Sequence, residues 1–264
     1  ERMHADQGQL FVVGGCESIS NAPVLYRKSA VQKFSRLAKA RGSLAKLTAA
    51  LQFRPKDFKP LIGLRLGLTD PVTGINMGQT AEILSREYEI SRDEQDAFAV
   101  SSHLKARDQQ QCLNQEISPV YTHGQAISSD DGIRADSSAE KLAKLKPVFE
   151  KNTGTVTAGN SSQITDGAAV LLVGSIRMKE LGLEPIGRLR GYAYAGCDPS
   201  RMGLGPLFAM QKLFQQTGLS IDKADIIEIN EAFAAQALAC IKISNSEVLT
   251  KKAGLDAQLG EIPL

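Results

Sequence analysis

The chain has 264 residues, 42% hydrophobic and 23% charged, with a net charge of +2. That mix belongs to a globular protein able to bury a core, and no stretch approaches the ~20 consecutive apolar residues of a helical membrane span. Four scattered cysteines (Cys16, Cys112, Cys197, Cys240) and three scattered histidines form no CxxC pair and no zinc spacing, which points to reduced thiols in an intracellular protein.

The first residues, Glu1 to Asp6, are too polar for a signal peptide. Gln9 to Gly15 reads as a buried strand running into a glycine turn. The sequence thus opens almost inside a core element, and truncation is expected. Residues 27–69 hold eleven of the 31 Lys and Arg but only one of the 29 acids, Asp57. Such a basic segment on an acidic body suits an anionic partner surface or a solvated face. Within it Val31, Phe34, Leu37, Leu44, Leu47 and Leu51 fall at roughly helical spacing until Pro55 and Pro60 break the pattern.

Helices are predicted over about 78–88 and from Ser91 to about 110. The second opens on Ser91-Arg92-Asp93-Glu94, the spacing of a capping box. The stretch 70–150 reads as a mostly helical, polar subdomain inserted between halves of a sheet. Further on, Ala168–Val173 is a continuous apolar run, as in a strand covered on both faces. A short helix at Ser175–Leu181 ends at Gly182, and Pro185–Cys197 reads as a second strand. Pro206 opens a helix that Gly218 ends. Asp225–Ile229 is a strand, and a helix follows from about Ala232 to Ile243. Strands alternating with helices give an α/β layered sheet.

Two segments carry candidate chemistry. Gly154-Thr155-Val156-Thr157-Ala158-Gly159-Asn160-Ser161-Ser162-Gln163-Ile164-Thr165-Asp166-Gly167-Ala168 sets small hydroxyl, glycine and amide residues directly before a buried strand, so the backbone can approach a ligand closely; a plain tight loop has the same composition. Asn230-Glu231-Ala232-Phe233-Ala234-Ala235-Gln236 puts an Asn where a strand ends. There its amide can hold a water or donate to an oxyanion, or can simply cap the next helix.

Together these segments resemble the thiolase family, and the resemblance covers nearly the whole chain in seven ordered blocks. Val12-Val13-Gly14-Gly15-Cys16-Glu17-Ser18 is similar to the family's glycine-glycine-x-glutamate-serine block. Met77-Gly78-Gln79-Thr80-Ala81-Glu82 and Ile90 to Ala99 look like its loop-domain signature. Asp131-Gly132-Ile133-Arg134, Leu145 to Phe149, and Asp198-Pro199 with Met202 to Pro206 match in type and order. The basic insert most resembles long-loop thiolases of fatty-acid β-oxidation, including the β-subunits of trifunctional complexes.

The resemblance implies an α-β-α-β-α layered sandwich, here incomplete. The divisions expected from it are the end of an N-terminal half (1–26), an inserted loop subdomain (27–150), a return to that half (151–185) and the start of a C-terminal half (186–264). It implies an acyltransferase acting on CoA thioesters, by thiolysis of a 3-ketoacyl-CoA or the reverse Claisen condensation. Coenzyme A is then part of the substrate, and no cofactor is expected. By its block Asn230 would position the water that helps hold the thioester oxygen. Ala158 and Ser162 would line the pantetheine channel, Met77, Met202, Ala232 and Phe233 would be apolar walls, and Arg134 would lie by the nucleotide end of CoA. Plain core packing accounts equally for Met77 and Met202.

The family's nucleophilic cysteine lies upstream of Gly14-Gly15, and its Gly-His-Pro histidine and second cysteine lie downstream of Asn230, outside these residues. None of His4, His103 and His123 sits in a matching motif, and His103 reads as a surface residue. Position 76 is Asn where several short-loop relatives carry a CoA-side His. As it stands the chain is expected to lack thiolysis activity by itself. Two other classes fit: a non-catalytic CoA- or lipid-binding relative, and a structural subunit. Expected partners are acyl-CoA or CoA, a second copy (dimer or tetramer) or a β-oxidation complex, and peripherally a membrane through 27–69, with no nucleic acid. The expected location is the cytoplasm, or an organellar matrix in a eukaryote.

Overall fold

A computed structural model describes residues 8–122 and 124–263, so His4 and His123 lie outside the described residues. The elements in chain order are β1 (Leu10–Ser18), β2 (Val24–Leu25), α1 (Lys28–Lys39), α2 (Ser43–Ala50), β3 (Leu61–Ile62), α3 (Gly63–Gly67), α4 (Met77–Glu87), α5 (Arg92–Asp108), α6 (Gln110–Glu116), β4 (Val120–Thr122), β5 (Gln125–Ile127), α7 (Ala139–Leu142), β6 (Asp166–Gly174), α8 (Gly205–Thr217), α9 (Ala234–Ser244) and α10 (Glu247–Ala253). They gather into two compact units. One holds the chain up to Asp70 with Ile164–Leu181; the other holds Pro71–Gln163 with Gly182–Leu264.

In the first unit β1 and β6 form an antiparallel ladder from Leu10↔Gly174 to Ser18↔Asp166. Alternation puts Val12, Val170 and Leu172 on one face and Val13 and Leu171 on the other, and all five are exposed. A side chain at Gly14 would meet the Ala169 carbonyl oxygen at 2.7 Å, so the ladder leaves no room for one there. The Asp166 carboxylate ties the start of β6 to the Ser20 backbone N–H at 2.8 Å and to its hydroxyl. The Ser20 hydroxyl bond, then its N–H, hold that carboxyl below the usual carboxylate range.

The basic segment folds as α1 and α2, parted at Gly42, whose φ of 86° is a left-handed conformation that suits glycine. The rings of Tyr26, Phe34, Phe53 and Phe58 pack into one cluster, with centroids 4.8 Å apart for Phe34 and Phe53. Asp57, the segment's one acid, is buried, accepting from Lys33 Nζ at 2.6 Å and from the Arg54 N–H at 2.8 Å. Those partners, Lys33 first, hold its carboxyl low.

In the second unit α9 is apolar nearly all round and is buried from Ala234 through Ile241, as a core helix must be. Its alanines let α4, α5 and α10 come close. Leu84, Tyr88, Leu204, Leu207, Leu238, Ile243, Leu255 and Leu259 fill the space between them. At Gly203 a Cβ would sit 2.7 Å from Gln236 Cγ and 2.8 Å from Leu84 Cδ1, so a side chain there would push into the core. Arg201 locks the same turn to α4 through a two-pronged bond to Glu87, one prong at 2.8 Å, and to Asp198 at 2.7 Å.

Two predicted strands do not form. Residues 185–197 and 225–229 carry no ladder pairing among the described residues, although their apolar pattern fits a strand. A strand needs a neighbour to take its backbone N–H and C=O groups. Without one these segments run irregularly, and Ile186 is fully exposed at 105%.

Candidate functional site

The site grows from three buried side chains that organise the glycine- and hydroxyl-rich loop. Glu82 on α4 is 1% exposed. Its carboxylate accepts the Thr155 N–H at 3.0 and 2.9 Å, the Val156 N–H at 3.0 Å and the Thr155 hydroxyl at 3.2 Å. A Cβ on Gly154 would lie 2.4 Å from that carboxylate, which is why glycine precedes the clamp. Gln95 on α5 donates to Thr155 Oγ1 at 2.9 Å. Asn160, also buried, accepts the Thr157 N–H at 2.7 Å and donates to Asp96 at 2.9 Å and the Thr155 carbonyl at 3.1 Å. Asp96 in turn accepts from Arg92 Nε at 2.7 Å, and Arg92 reaches the Leu142 carbonyl at 2.6 Å.

This loop is laced to the second motif. The Ser162 N–H donates to the Ala232 carbonyl at 2.9 Å and the Ala234 N–H to the Asn160 carbonyl at 3.0 Å, around an antiparallel bridge of Ser161 with Phe233. The bridge holds 232–233 extended. The helix therefore starts at Ala234 with Phe233 as its N-cap, and Asn230 is not a cap. It lies exposed, its amide free of that duty.

Beside the bridge opens a cleft of about 560 Å³. It is lined by the α5 face Phe98, Ala99, Ser102 and His103, the α7 region with Lys141, Leu142 and Leu145, the loop 158–163, and Arg134, Asp136, Asn230 and Glu231. Apolar side chains thus share the cleft with hydroxyls and with charges of both signs, Arg134 and Lys141 beside Asp136 and Glu231. Glu231 accepts from Ser102 Oγ at 2.6 Å, Asp136 pairs with Lys141, and His103 Nδ1 accepts the Arg134 N–H at 3.3 Å. Lys141 holds the Asp136 carboxyl below its usual range.

Four residues singled out in the sequence come together here: Arg134, Ala158, Ser162 and Asn230. The other four do not line the cleft. Met77 is the first residue of α4, and Met202 lies in the 199–204 turn. Ala232 gives its carbonyl to the bridge. Phe233 packs edge-on against Phe149 at 5.9 Å, over Ala81, Val156 and Ala235. His103, read from the sequence as a surface residue, is half-buried in the cleft wall. The signal was present: Phe98 and Ser102, and Ala99 and His103, are i, i+4 pairs on one side of α5.

Residues 1–176 match the thiolase N-terminal domain and residues 183–255 the thiolase C-terminal domain. The chain belongs to the thiolase family. A 3-ketoacyl-CoA thiolase of Colwellia psychrerythraea is 37% identical over 89% of this chain and 55% of its own length. One of Alteromonas mediterranea is 36% identical over 100% of this chain and 62% of its own. Among solved structures, human mitochondrial 3-ketoacyl-CoA thiolase in complex with CoA superposes with a TM-score of 0.76 at 31% identity, covering 98% of this chain and 60% of that one. The Bacillus anthracis acetyl-CoA acetyltransferase gives 0.75 at 33% identity, covering 98% and 63%. The fold is thus that of the α/β thiolases, and the chain spans about three fifths of the length of the relatives it matches.

Within this thiolase chain two cysteines are held as thiols. Burial, then the Asp198 charge, pushes the Cys197 thiol up. Burial pushes Cys240 up to about 12, against a Gly203 carbonyl at 3.3 Å. Neither supplies a thiolate at neutral pH. Among the described residues no group of three or more His, Cys, Asp or Glu could hold a metal, and no helix is long and apolar enough to cross a membrane.

Proposed function

We propose that the cleft binds the CoA part of an acyl-CoA thioester, and that these residues form the oxyanion side of an acyltransferase. The reaction is thiolysis of a 3-ketoacyl-CoA or the reverse condensation. The observation that carries this reading is the meeting, in one cleft, of Arg134, Ala158, Ser162 and Asn230 from three separate segments. The CoA named with the human mitochondrial relative supports the same ligand.

In thiolysis a cysteine thiolate adds to the 3-keto carbon. The negative charge passes to the carbonyl oxygen, where a water held by Asn230 donates to it. Collapse breaks the C2–C3 bond, leaving an acyl-enzyme thioester. The departing carbanion takes a proton from an acid to become acetyl-CoA. The thiol of a second CoA, deprotonated by the same group, then accepts the acyl chain. Neither the nucleophile nor the base is assigned to a residue of this chain. These 264 residues alone are expected to bind CoA without turning it over.

Titration calorimetry with CoA tests this. We expect binding that Arg134→Ala weakens by roughly tenfold, the loss of one charge-assisted phosphate contact. In a preparation that turns over acetoacetyl-CoA, Asn230→Ala should lower kcat by about 10²–10³. Absence of CoA binding at millimolar concentration would overturn the reading. Binding without turnover in any longer form of the protein would favour a non-catalytic CoA- or lipid-binding role.

Two partner readings accompany it. The exposed ladder of β1 and β6 suits association with a second copy, and the cationic surface of 27–69 suits peripheral contact with an anionic membrane.

A further inference from the structure

We propose that Glu82, which does not line the cleft, is a positioning residue that sets the loop wall formed by Ala158 to Gln163. The inference rests on the CoA reading only for its ligand arm. Both carboxylate oxygens are spent on two consecutive residues of the loop, Thr155 and Val156. Beyond them the loop is a closed hydrogen-bonded unit. The Thr157 N–H goes to Asn160 Oδ1 at 2.7 Å, the Gly159 N–H to Thr157 Oγ1 at 3.2 Å, and Ser161 Oγ to the Thr157 carbonyl at 2.6 Å. Asn160 Nδ2 returns to the Thr155 carbonyl at 3.1 Å. A shift at 155–156 therefore carries the whole turn with it, and with the turn go the cleft-facing Ala158 and Ser162. The bridge passes the same shift to the 232–234 segment that follows Asn230.

The chemistry of the clamp is specific to a carboxylate. A carboxylate only accepts, and the loop presents it with two N–H donors and the Thr155 hydroxyl, which already accepts from Gln95. In Glu82→Gln the amide oxygen can keep the two N–H groups, but the NH₂ finds only the Thr155 hydroxyl as acceptor, leaving at least one buried donor hydrogen unpaired. Glu82→Asp keeps the charge and both acceptors on a stem one methylene shorter, so it should recover part of the effect.

Native-state hydrogen exchange and CoA calorimetry on the same variants decide the matter. Leu259→Ala, in the core cluster and not lining the cleft, serves as a destabilised control. In Glu82→Gln we expect exchange at Thr155 and Val156 to rise by roughly tenfold or more, and the rise to extend to Thr157, Ser162 and Ala234. The CoA dissociation constant should rise by about tenfold, as for a misplaced binding wall. Glu82→Asp should fall between, and Leu259→Ala should raise exchange across the unit without singling out the loop and should leave the CoA affinity unchanged. Should Glu82→Gln fail to fold, Glu82→Asp carries both measurements. A rise confined to 155–156, or a loosened loop with unaltered CoA affinity, would overturn the proposal. If the wild type binds no CoA, the CoA reading fails while the exchange pattern still decides the clamp.

Discussion

Asn160 and His103 show how much chemistry a residue name conveys. Asn160 stood inside a run whose composition suggested a ligand-facing loop, and its amide instead faces inward and stitches that loop to Asp96. His103 carried no motif, yet the turn of α5 puts it in the cleft wall. Spacing showed which side of the helix it shared but not that this side meets the loop, because that contact joins residues about sixty apart. Cys240 makes the same point for reactivity. Its thiol is enclosed and pushed up to about 12 by burial, whereas Cys16 and Cys112 are exposed. Alkylation by iodoacetamide at pH 8, read by mass spectrometry, should label Cys16 and Cys112 first and Cys197 more slowly. Cys240 should react only under denaturant. Early labelling of Cys240 in the native protein would contradict the packing of α9.

At the scale of elements, local signals were the most legible. Ser91 caps α5 as its spacing predicted, its hydroxyl taking the Glu94 N–H while Glu94 returns to the Ser91 N–H. Gly218 ends α8 at φ 67°. The two strands that failed needed a partner that no local pattern specifies. The start of α9 moved by two residues because a non-local bridge took the N–H of Ala234. The basic segment gained meaning in three dimensions. Its one acid is buried against Lys33, so the other ten cations of 27–69 are all exposed with no exposed acid among them. Leu44, Leu47 and Leu51 are exposed beside them at 76%, 57% and 75%. A surface of cations and protruding leucines complements an anionic lipid headgroup layer. We therefore expect the protein to sediment with vesicles containing phosphatidylserine at 150 mM salt, to be released at roughly 500 mM as screening shortens, and to bind more weakly as Leu44→Ser/Leu47→Ser. Equal binding to neutral vesicles, or none to anionic ones, would refute the membrane contact.

For the whole molecule the decisive quantity is apolar surface left in water. Monomeric proteins rarely expose contiguous apolar patches larger than a few hundred Å². Here both faces of the β1–β6 ladder are open, with Val12 at 77%, Val170 at 67% and Leu171 at 65%. In the second unit Leu189 and Ile226 stand out at 76% and 80%. Each valine or leucine so exposed forgoes on the order of 1–2 kcal/mol of burial. The outer edges of a two-stranded ladder add unpaired N–H and C=O groups that another copy can take up. The drive to associate is therefore large, and the ladder offers one route for it. Analytical ultracentrifugation of the 264-residue chain at micromolar concentration should find a species heavier than the 28.4 kDa monomer. Val12→Lys would place a charge on the face shared with Leu172 and Val170 and should shift the population toward monomer, leaving the cleft in the other unit unaltered. A wild-type chain that stays monomeric would mean that these faces are solvated as they stand, and the proposed pairing of copies through the ladder would be wrong.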